Sequence, residues 1–331
     1  MKNVKETVGI DVSKLTLDVF IHTLKDHAQF ENNRRGYLKI LKWLKSKQIN
    51  PNEVLFCFEH TGWYCIILSY FLKENSLQYC CINPMEIKRS MGLKRGKSDK
   101  ADSKEIAYYA WLRRSELAPS TAPAKNIIEL QRMMSLREQF VKQQTALKNL
   151  RKGMEQIAVK GQPDASIMAL DDTLSHLEFQ INRIEKAMDA LIKLDQQLNK
   201  NYNLSKSVKG VGPILAIQML LHTHNYSRFA SWRQFSSYCG LVPFPYQSGT
   251  SIHGREKTHP ISDRKMKSLL SMSAISAIQH DKELKNYYSK RVEEGKPKMV
   301  VLNIIRNKIV ARIFATVNRG TPFVPLSNFA A

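Results

Sequence analysis

The first 120 residues alternate short apolar runs with segments of helical periodicity, and this pattern constrains the fold most. Three runs rich in β-branched residues come first and predict an antiparallel meander of strands: "TVGIDVSK", "KLTLDVFIHT" and "HAQFEN". After the helical segment "YLKILKWLKSK", the run "VLFCFEHTG" predicts a buried central strand, and "LQYCCINP" predicts a further strand that ends at Pro84. Because strands and helices alternate, we expect an α/β layer domain over residues 1–120.

Residues 121–202 show a different pattern, that of long helices. Apolar residues recur at alternating intervals of three and four in two segments, which are separated by "KGQPDAS". Two such heptad seams predict a helical hairpin or coiled coil, and its mixed surface charge suits an arm that pairs two copies of the chain. Two helices of an ordinary bundle are the alternative interpretation.

Residues 203–331 predict a third domain, which is mainly α-helical. It begins with "SVKGVGPILAIQML", in which Gly210 and Gly212 precede a helix. A tight turn with free amides at a helix start can hold a phosphate, although the same glycines also suit a plain turn. Further helices are predicted at "MKSLLSMSAISAIQ" and "VLNIIRNKIVARIFATVNR".

The chain is strongly basic. It contains 51 Lys and Arg against 29 Asp and Glu, a formal charge of +22, at 43% hydrophobic content. A folded protein of this charge has nucleic acid as its first expected partner. The apolar runs are broken by charge well before about 18 residues, and the N-terminus lacks the apolar core of a secretory signal. We therefore expect a cytoplasmic protein without a membrane partner, whose five cysteines are reduced.

Four acids predict a metal site. Asp11 and Glu59 end apolar strands, where a carboxylate is costly unless a cation compensates it. Asp99 and Asp102 lie one helical turn apart on one face, inside a segment rich in Lys and Arg. Two divalent ions that act in phosphoryl transfer need such a ring of oxygen ligands, so we predict Mg²⁺ at these four residues. The alternative is that Asp99 and Asp102 are ordinary acids of a helix surface.

Other charged residues have simpler expected roles. Asp18, Asp26 and Glu53 are predicted to be surface acids. Basic residues on the first and third domains suit contacts to nucleic-acid backbones. With the two glycines, the predicted nucleic-acid contacts are Lys94, Arg95, Lys97, Lys100, Lys104, Lys209, Gly210, Gly212, Arg255, Lys257, Arg264 and Lys265.

These motifs, in this order, resemble the one-ten insertion-sequence family of transposases, relatives of the Piv invertase. "GIDVSK", "FEHTG" and "KSDKADSKEIA" are similar to the motifs of that family's acid tetrad, which implies catalytic and metal-binding roles for Asp11, Glu59, Asp99 and Asp102. The resemblance covers nearly the whole chain. It implies a RuvC-like domain of the ribonuclease H fold, a coiled coil and a C-terminal transposase domain.

The segment "YCGLVPFPYQSG" is similar to the C-terminal motif of the same family. The resemblance implies that its serine, Ser248, is the nucleophile. Taken without the family, Ser248 belongs to a Ser-Gly turn with no Ser-His-Asp arrangement around it. Metal held by the acid tetrad could activate the hydroxyl, which would make the site a composite of the two terminal domains. The segment after the serine departs from the family pattern, because Pro260 and Asp263 lie inside it.

The resemblance implies a DNA recombinase of an insertion sequence that breaks and rejoins strands through a covalent phosphoserine. It also implies a structured guide RNA that base-pairs with donor and target DNA. From the heptads we further expect a dimer through the coiled coil that assembles to a tetramer on DNA. One alternative is a RuvC-like junction nuclease that uses water and does not need Ser248. Another is a non-catalytic nucleic-acid-binding protein in which the tetrad consists of surface acids.

Overall fold

The computed structural model describes residues 4–60, 62–90, 98–158, 164–248 and 252–325. The chain forms two compact units, Met1–Pro123 and Ala124–Ala331. The predicted residues Lys94, Arg95 and Lys97 lie outside the described residues.

Unit 1 is a five-stranded sheet with helices on both faces. Its order along the sheet is β3-β2-β1-β4-β5, with β1–β3 antiparallel and β4 and β5 parallel to β1. A 3-10 helix, Pro51–Glu53, precedes β4. The strands and helices are β1 (Glu6–Val12), β2 (Thr16–Ile21), β3 (Asp26–Glu31), α1 (Arg34–Ser46), β4 (Val54–Glu59), α2 (Ile66–Glu74), β5 (Gln78–Ile82), α3 (Pro84–Ser90) and α4 (Asp99–Leu112).

Strand β4 is buried on both faces, as its continuous apolar sequence predicts. Phe56 and Phe58 pack with the side of the sheet that α1 and α2 cover. Leu55 and Cys57 point to the other face and pack with Ile106 of α4. The mixed sheet and its helices confirm the predicted α/β class of this part of the chain.

Unit 2 is mainly helical and contains one two-stranded sheet. Its elements are α5 (Lys125–Glu155), α6 (Ala165–Leu194), α7 (Gln196–Lys206), α8 (Pro213–His222), α9 (Trp232–Tyr238), β6 (Pro243–Ser248), β7 (Ile252–Thr258), α10 (Arg264–His280), α11 (Lys282–Glu293) and α12 (Lys298–Arg319).

Helices α5 and α6 form an antiparallel hairpin. Arg137 pairs with Glu185 at 2.6 Å and Arg151 pairs with Asp171 at 2.5 Å. Residue numbers therefore rise along α5 and fall along α6 in the same direction. The start of α5 and the end of α6 join the core that α7–α12 share. The two long helices form a hairpin, whereas a coiled coil, its pairing with a second chain and the division at residue 202 stay predictions.

Helix α12 is the central element of this core. Ile305, Ile309 and Ile313 are fully buried in it, together with Phe235 of α9. The repeating spacing of four residues places the three isoleucines on one side of the helix. Within the described residues, no helix combines the length and apolar character required to cross a membrane.

Candidate active site

A glycine lets helix α4 lie directly against strand β1. A Cβ atom at Gly9 would be 2.2 Å from the carbonyl oxygen of Ser103 and 2.3 Å from the amide nitrogen of Ala107. Two residues earlier in β1, the Thr7 hydroxyl donates a hydrogen bond to the Ala107 carbonyl at 3.0 Å. Two strand residues span about 6.6 Å and one helical turn about 5.4 Å. Each advance of two residues along β1 therefore faces a position about one turn closer to the start of α4.

Two further residues along β1 lead to Asp11, and one further turn back leads to the start of α4. That first turn contains Asp99 and Asp102. It is fixed by Ser98, whose hydroxyl accepts from the Ala101 amide at 3.2 Å and serves as a helix N-cap. The contact of strand and helix therefore brings Asp11 towards both aspartates.

Glu59 reaches the same end of the sheet on the neighbouring strand. Strands β1 and β4 are parallel, and Ile10 pairs with Phe58. The next residues in this register are Asp11 and Glu59, which are both half-buried. Because parallel strands in register carry successive residues on matching faces, the two carboxyls lie on the α4 side of the sheet.

The pKa of Asp11 reflects its burial and the charges of the other three acids. Its pKa is raised from the usual 3.8 to about 6, first by burial and then by the charges of Asp102, Asp99 and Glu59, with a smaller effect of Asp18. Burial and like charge both disfavour the ionised carboxylate. The structure thus brings together the four acids that the sequence motifs singled out.

The prediction that Asp18 is a surface acid is wrong. Its side chain is 8% exposed and accepts hydrogen bonds from Gln29 Nε2 at 3.0 Å and from His27 Nε2 at 2.9 Å. Asp18 pairs directly with Asp11 across β1 and β2, so both lie on the same face. Asp26 and Glu53 are partly exposed and form ion pairs with Lys47 and Lys5.

The donor set fits a hard divalent cation. Oxygen ligands from carboxylates are those that Mg²⁺ prefers, and a bound cation would relieve the repulsion that raises the pKa of Asp11. Within the described segments, no three Asp, Glu, His or Cys side chains form a closed group of metal ligands. Burial and the charges of Asp102, Asp99 and Glu59 act on Asp11 without such a cage.

Ser248 is the last residue of β6 in unit 2. It pairs with Ile252, the first residue of β7, and Pro243 pairs with Thr258 at the other end. We call this two-stranded sheet the ribbon. Arg255 lies in β7 and Lys257 is exposed beside it. The ribbon therefore carries the predicted nucleophile and two of the predicted phosphate contacts.

The other predicted contacts lie on helices or in a turn. Lys100 and Lys104 are exposed on α4, and Arg264 and Lys265 are exposed at the start of α10. Lys265 forms an ion pair with Glu138.

The glycine turn before α8 has a packing role. Gly210 has φ +88° and its absent Cβ would lie 2.6 Å from the Ser273 carbonyl oxygen, so both its backbone conformation and its contact require glycine. Gly212 has open space around it, and Lys209 is exposed. A phosphate contact at this turn stays a prediction.

A polar network in unit 2 was not predicted from the sequence. His222 Nδ1 lies 3.1 Å from the Tyr238 hydroxyl and 3.3 Å from Asp263 Oδ2. Burial lowers the pKa of His222 and raises the pKa of Tyr238 to about 12. Asp263 also caps α10 by accepting from the Met266 amide. The three residues come from separate helix ends, so no local sequence motif signals the network.

Two family models match this chain. The DEDD_Tnp_IS110 family model, described as "Transposase", matches residues 8–158, and "Transposase IS116/IS110/IS902 family" matches residues 202–289. The pilin gene-inverting protein of Moraxella bovis is 28% identical over 326 residues, which cover 96% of this chain and 98% of that protein. The protein of the same name from Moraxella lacunata has the same identity and coverage.

A relative from an insertion element is similar over part of the chain. The "Insertion element IS110 uncharacterized 43.6 kDa protein" of Streptomyces coelicolor is 26% identical over 161 residues, 49% of this chain and 38% of that protein. The two family matches extend over parts of both structural units, and the inverting proteins are similar along almost the entire length. The chain therefore belongs to the IS110 family of insertion-sequence transposases and recombinases, enzymes that rearrange DNA.

Proposed function

We propose that this protein is an RNA-guided DNA recombinase that exchanges strands through a covalent phosphoserine at Ser248. The observation that carries the proposal is the half-buried Asp11, whose pKa is raised to about 6 first by burial and then by the charges of Asp102, Asp99 and Glu59. A surface cluster without a function would keep such charges apart, because each added carboxylate makes ionisation of its neighbours less favourable.

The acids of unit 1 are the proposed binding site for Mg²⁺. Asp11, Glu59, Asp99 and Asp102 would hold it, and a bound divalent ion supplies charge stabilisation to a phosphoryl group. The chain's own contribution is to fix the ligands: β1 and β4 present two of them, and the capped first turn of α4 presents the other two. The ribonuclease H-like assignment of this unit belongs to the same proposal.

Ser248 is the proposed attacking group. In the step, a bond forms between Ser248 Oγ and phosphorus while one ester bond of the DNA backbone breaks. The oxygen of the leaving strand takes up a proton, and the serine hydroxyl loses one. One ester bond therefore replaces another. In the second step, the hydroxyl of a different DNA strand attacks the phosphoserine, which joins the DNA again and releases the serine hydroxyl. A nuclease that uses water as its nucleophile would form no covalent bond between Ser248 and DNA.

Guide RNA is the proposed source of sequence specificity. The sequence contains no zinc-finger spacing and no basic region that continues into a zipper. Lys100, Lys104, Lys257 and Arg264 are exposed, as residues that contact a backbone must be. Backbone contacts position a duplex but do not identify its bases, whereas pairing with RNA does.

The helical hairpin is the proposed dimer contact, from which a tetramer would assemble on DNA. The hairpin exposes large apolar side chains: Leu136 is 48%, Leu150 48% and Phe179 62% exposed. Apolar side chains of paired helices are stabilised when a second copy covers them.

Exchange of the guide tests the proposal. Purified protein would be freed of RNA with ribonuclease and then supplied with donor DNA, target DNA, Mg²⁺ and one of two RNAs that differ only in the segment that pairs with the target. We expect recombination only with RNA present, at the target that each RNA specifies. Site-specific recombination by the RNA-free protein would contradict the proposal and would indicate direct recognition by side chains.

A further inference from the structure

The ribbon projects from the helical part of unit 2. Residues 244–247 of β6 are all exposed, and so are Gly254, Glu256 and Lys257 of β7. The two strands are joined to each other by their ladder, in which Phe244 pairs with Lys257 and Ser248 with Ile252. The orientation of Ser248 relative to the helices therefore depends on how the opposite end of the ribbon is held.

That opposite end, which we call the root, begins with the turn from α9 into β6. Gly240 has φ +67°, and its carbonyl accepts a hydrogen bond from Lys267 Nζ of α10 at 3.0 Å. The next carbonyl, that of Leu241, accepts from Asn303 Nδ2 of α12 at 2.7 Å. Two consecutive carbonyls of the turn are thus held by side chains from two different helices.

Lys267 also contacts the other strand. Its Nζ lies 3.4 Å from the hydroxyl of Thr258, the last residue of β7. One ammonium group therefore joins the entry and the exit of the ribbon. Arg306 supports the same turn from α12: it is 5% exposed, and its Nη1 lies 3.4 Å from Asn303 Oδ1.

Half-burial makes these hydrogen bonds more important. Burial lowers the pKa of Lys267, and the nearby charge of Arg306 lowers it further. A cation with reduced hydration needs polar partners from the protein, and here they are a carbonyl and a hydroxyl at the root. Loss of either partner would leave a donor poorly satisfied.

The length of the ribbon converts a small error at the root into a large one at Ser248. Six strand residues span about 17–20 Å, so a tilt of about 10° at the root moves the far end by about 3 Å. A misplacement of about 1 Å between reacting groups can cost about 10²-fold in rate.

We propose that Lys267 is a positioning residue that fixes the ribbon on the helices and so aligns Ser248 for attack. The inference rests on the proposed role of Ser248 as nucleophile. Lys267 acts through the two strands at the root of the ribbon, and its effect is on the rate of strand exchange and not on the affinity for nucleic acid.

Four substitutions separate positioning from loss of charge. Lys267→Met removes the donor, Thr258→Val removes one acceptor without changing charge, and Lys285→Met removes an exposed charge from α11 as the control. We expect about a 10²-fold slower formation of the protein-DNA adduct for Lys267→Met and a smaller loss for Thr258→Val. DNA affinity should be retained, and Lys267→Arg should restore most of the rate. An adduct rate of Lys267→Met equal to that of Lys285→Met would overturn the proposal.

A distance measurement without DNA tests, independently of catalysis, whether Lys267 fixes the ribbon on the helices. Spin labels at Gln247→Cys in the ribbon and Ser289→Cys in α11 report the spread of ribbon orientations by pulsed electron resonance. We expect a broader distance distribution in Lys267→Met than in the parent or in Lys285→Met. An unchanged distribution would overturn the claim that Lys267 fixes the ribbon. A broader distribution with a normal adduct rate would overturn positioning, whereas failure of the nucleophile assignment would appear separately as adduct formation by Ser248→Ala.

Discussion

Asp11 combines burial with the charges of four neighbouring acids, and its ionisation should therefore affect stability. Its pKa is 3.8 in an ordinary environment and about 6 in the fold. Between about pH 4 and pH 6 the folded chain holds more protons than the unfolded chain, so the free energy of unfolding falls as pH rises through this window. The favourable contribution of protonated Asp11 is lost above the folded pKa.

We predict that Asp11→Asn abolishes recombination and makes the protein more stable at pH 7 in the absence of metal. The expected gain is about 1–2 kcal/mol, reduced from the full electrostatic value because the group is half-buried and partly screened by solvent. Thermal unfolding of both proteins from pH 4 to pH 8 measures the gain, which should disappear below about pH 4. Equal stability of the two proteins at pH 7 would show that the acids do not repel one another.

Metal should reverse this difference. Titration of Mg²⁺ should raise the unfolding temperature of the parent protein at pH 7, because an ion that binds only the folded chain stabilises it. Asp11→Asn should gain less from the same titration. Identical responses of the two proteins would remove Asp11 from the set of metal ligands.

The acids of the site could be predicted from the sequence for a local reason, whereas Asp18 could not. Asp11 and Glu59 each close an apolar run, and Asp99 and Asp102 have helical spacing. Asp18 is buried because His27 and Gln29 of the next strand donate to it, and its partners are recognisable only when the register of the two strands is known.

At the level of secondary structure, the packing of β1 against α4 brings the acids together. Gly9→Ala would place a Cβ atom 2.2 Å from a backbone oxygen of α4. Since backbone on both sides has little freedom to move, we expect a loss of about 3 kcal/mol in the free energy of unfolding and a large loss of recombination. Chemical denaturation measures the first effect.

A matched glycine provides the control. Gly153 lies in α5, and a Cβ atom at this position would have nothing within 4 Å beyond its chain neighbours and the surrounding helix backbone. Gly153→Ala should raise stability by about 0.5–1 kcal/mol, since alanine is the better helix former. Similar effects of the two substitutions would contradict the close contact of β1 with α4.

The strands and long helices were predictable because their apolar periodicity is local. The root of the ribbon was not, since Lys267 and Gly240 are 27 residues apart and Asn303 and Leu241 are 62 apart. Hydrogen bonds from lysine and asparagine to backbone carbonyls leave no periodic trace in the sequence. The same holds for the network of His222, Tyr238 and Asp263.

For the whole molecule, the charge of +22 determines how it meets nucleic acid. We predict that the RNA-free protein binds DNA weakly and loses about 10³-fold in affinity between roughly 50 mM and 200 mM salt, because contacts to phosphates release counterions. Binding isotherms over this range measure the slope. A flat salt dependence would contradict backbone contacts as the main source of affinity.

Single lysines can be assigned by the same slope. Lys104→Gln on α4 should reduce the slope of log affinity against log salt by about 1 without altering sequence preference. Lys193→Gln is a suitable control, since Lys193 already pairs with Asp189 on its own helix. Equal slopes for both variants and the parent would exclude Lys104 from the contact surface.

The central claim is that Ser248 joins covalently to DNA in a reaction that needs guide RNA and Mg²⁺. Denaturing gels and mass spectrometry of peptides from a stalled reaction test it most directly. We predict a DNA adduct on the peptide that contains Ser248, absent when RNA or Mg²⁺ is withheld and absent from Ser248→Ala. Cut DNA without any adduct, or an unchanged adduct from Ser248→Ala, would contradict the account.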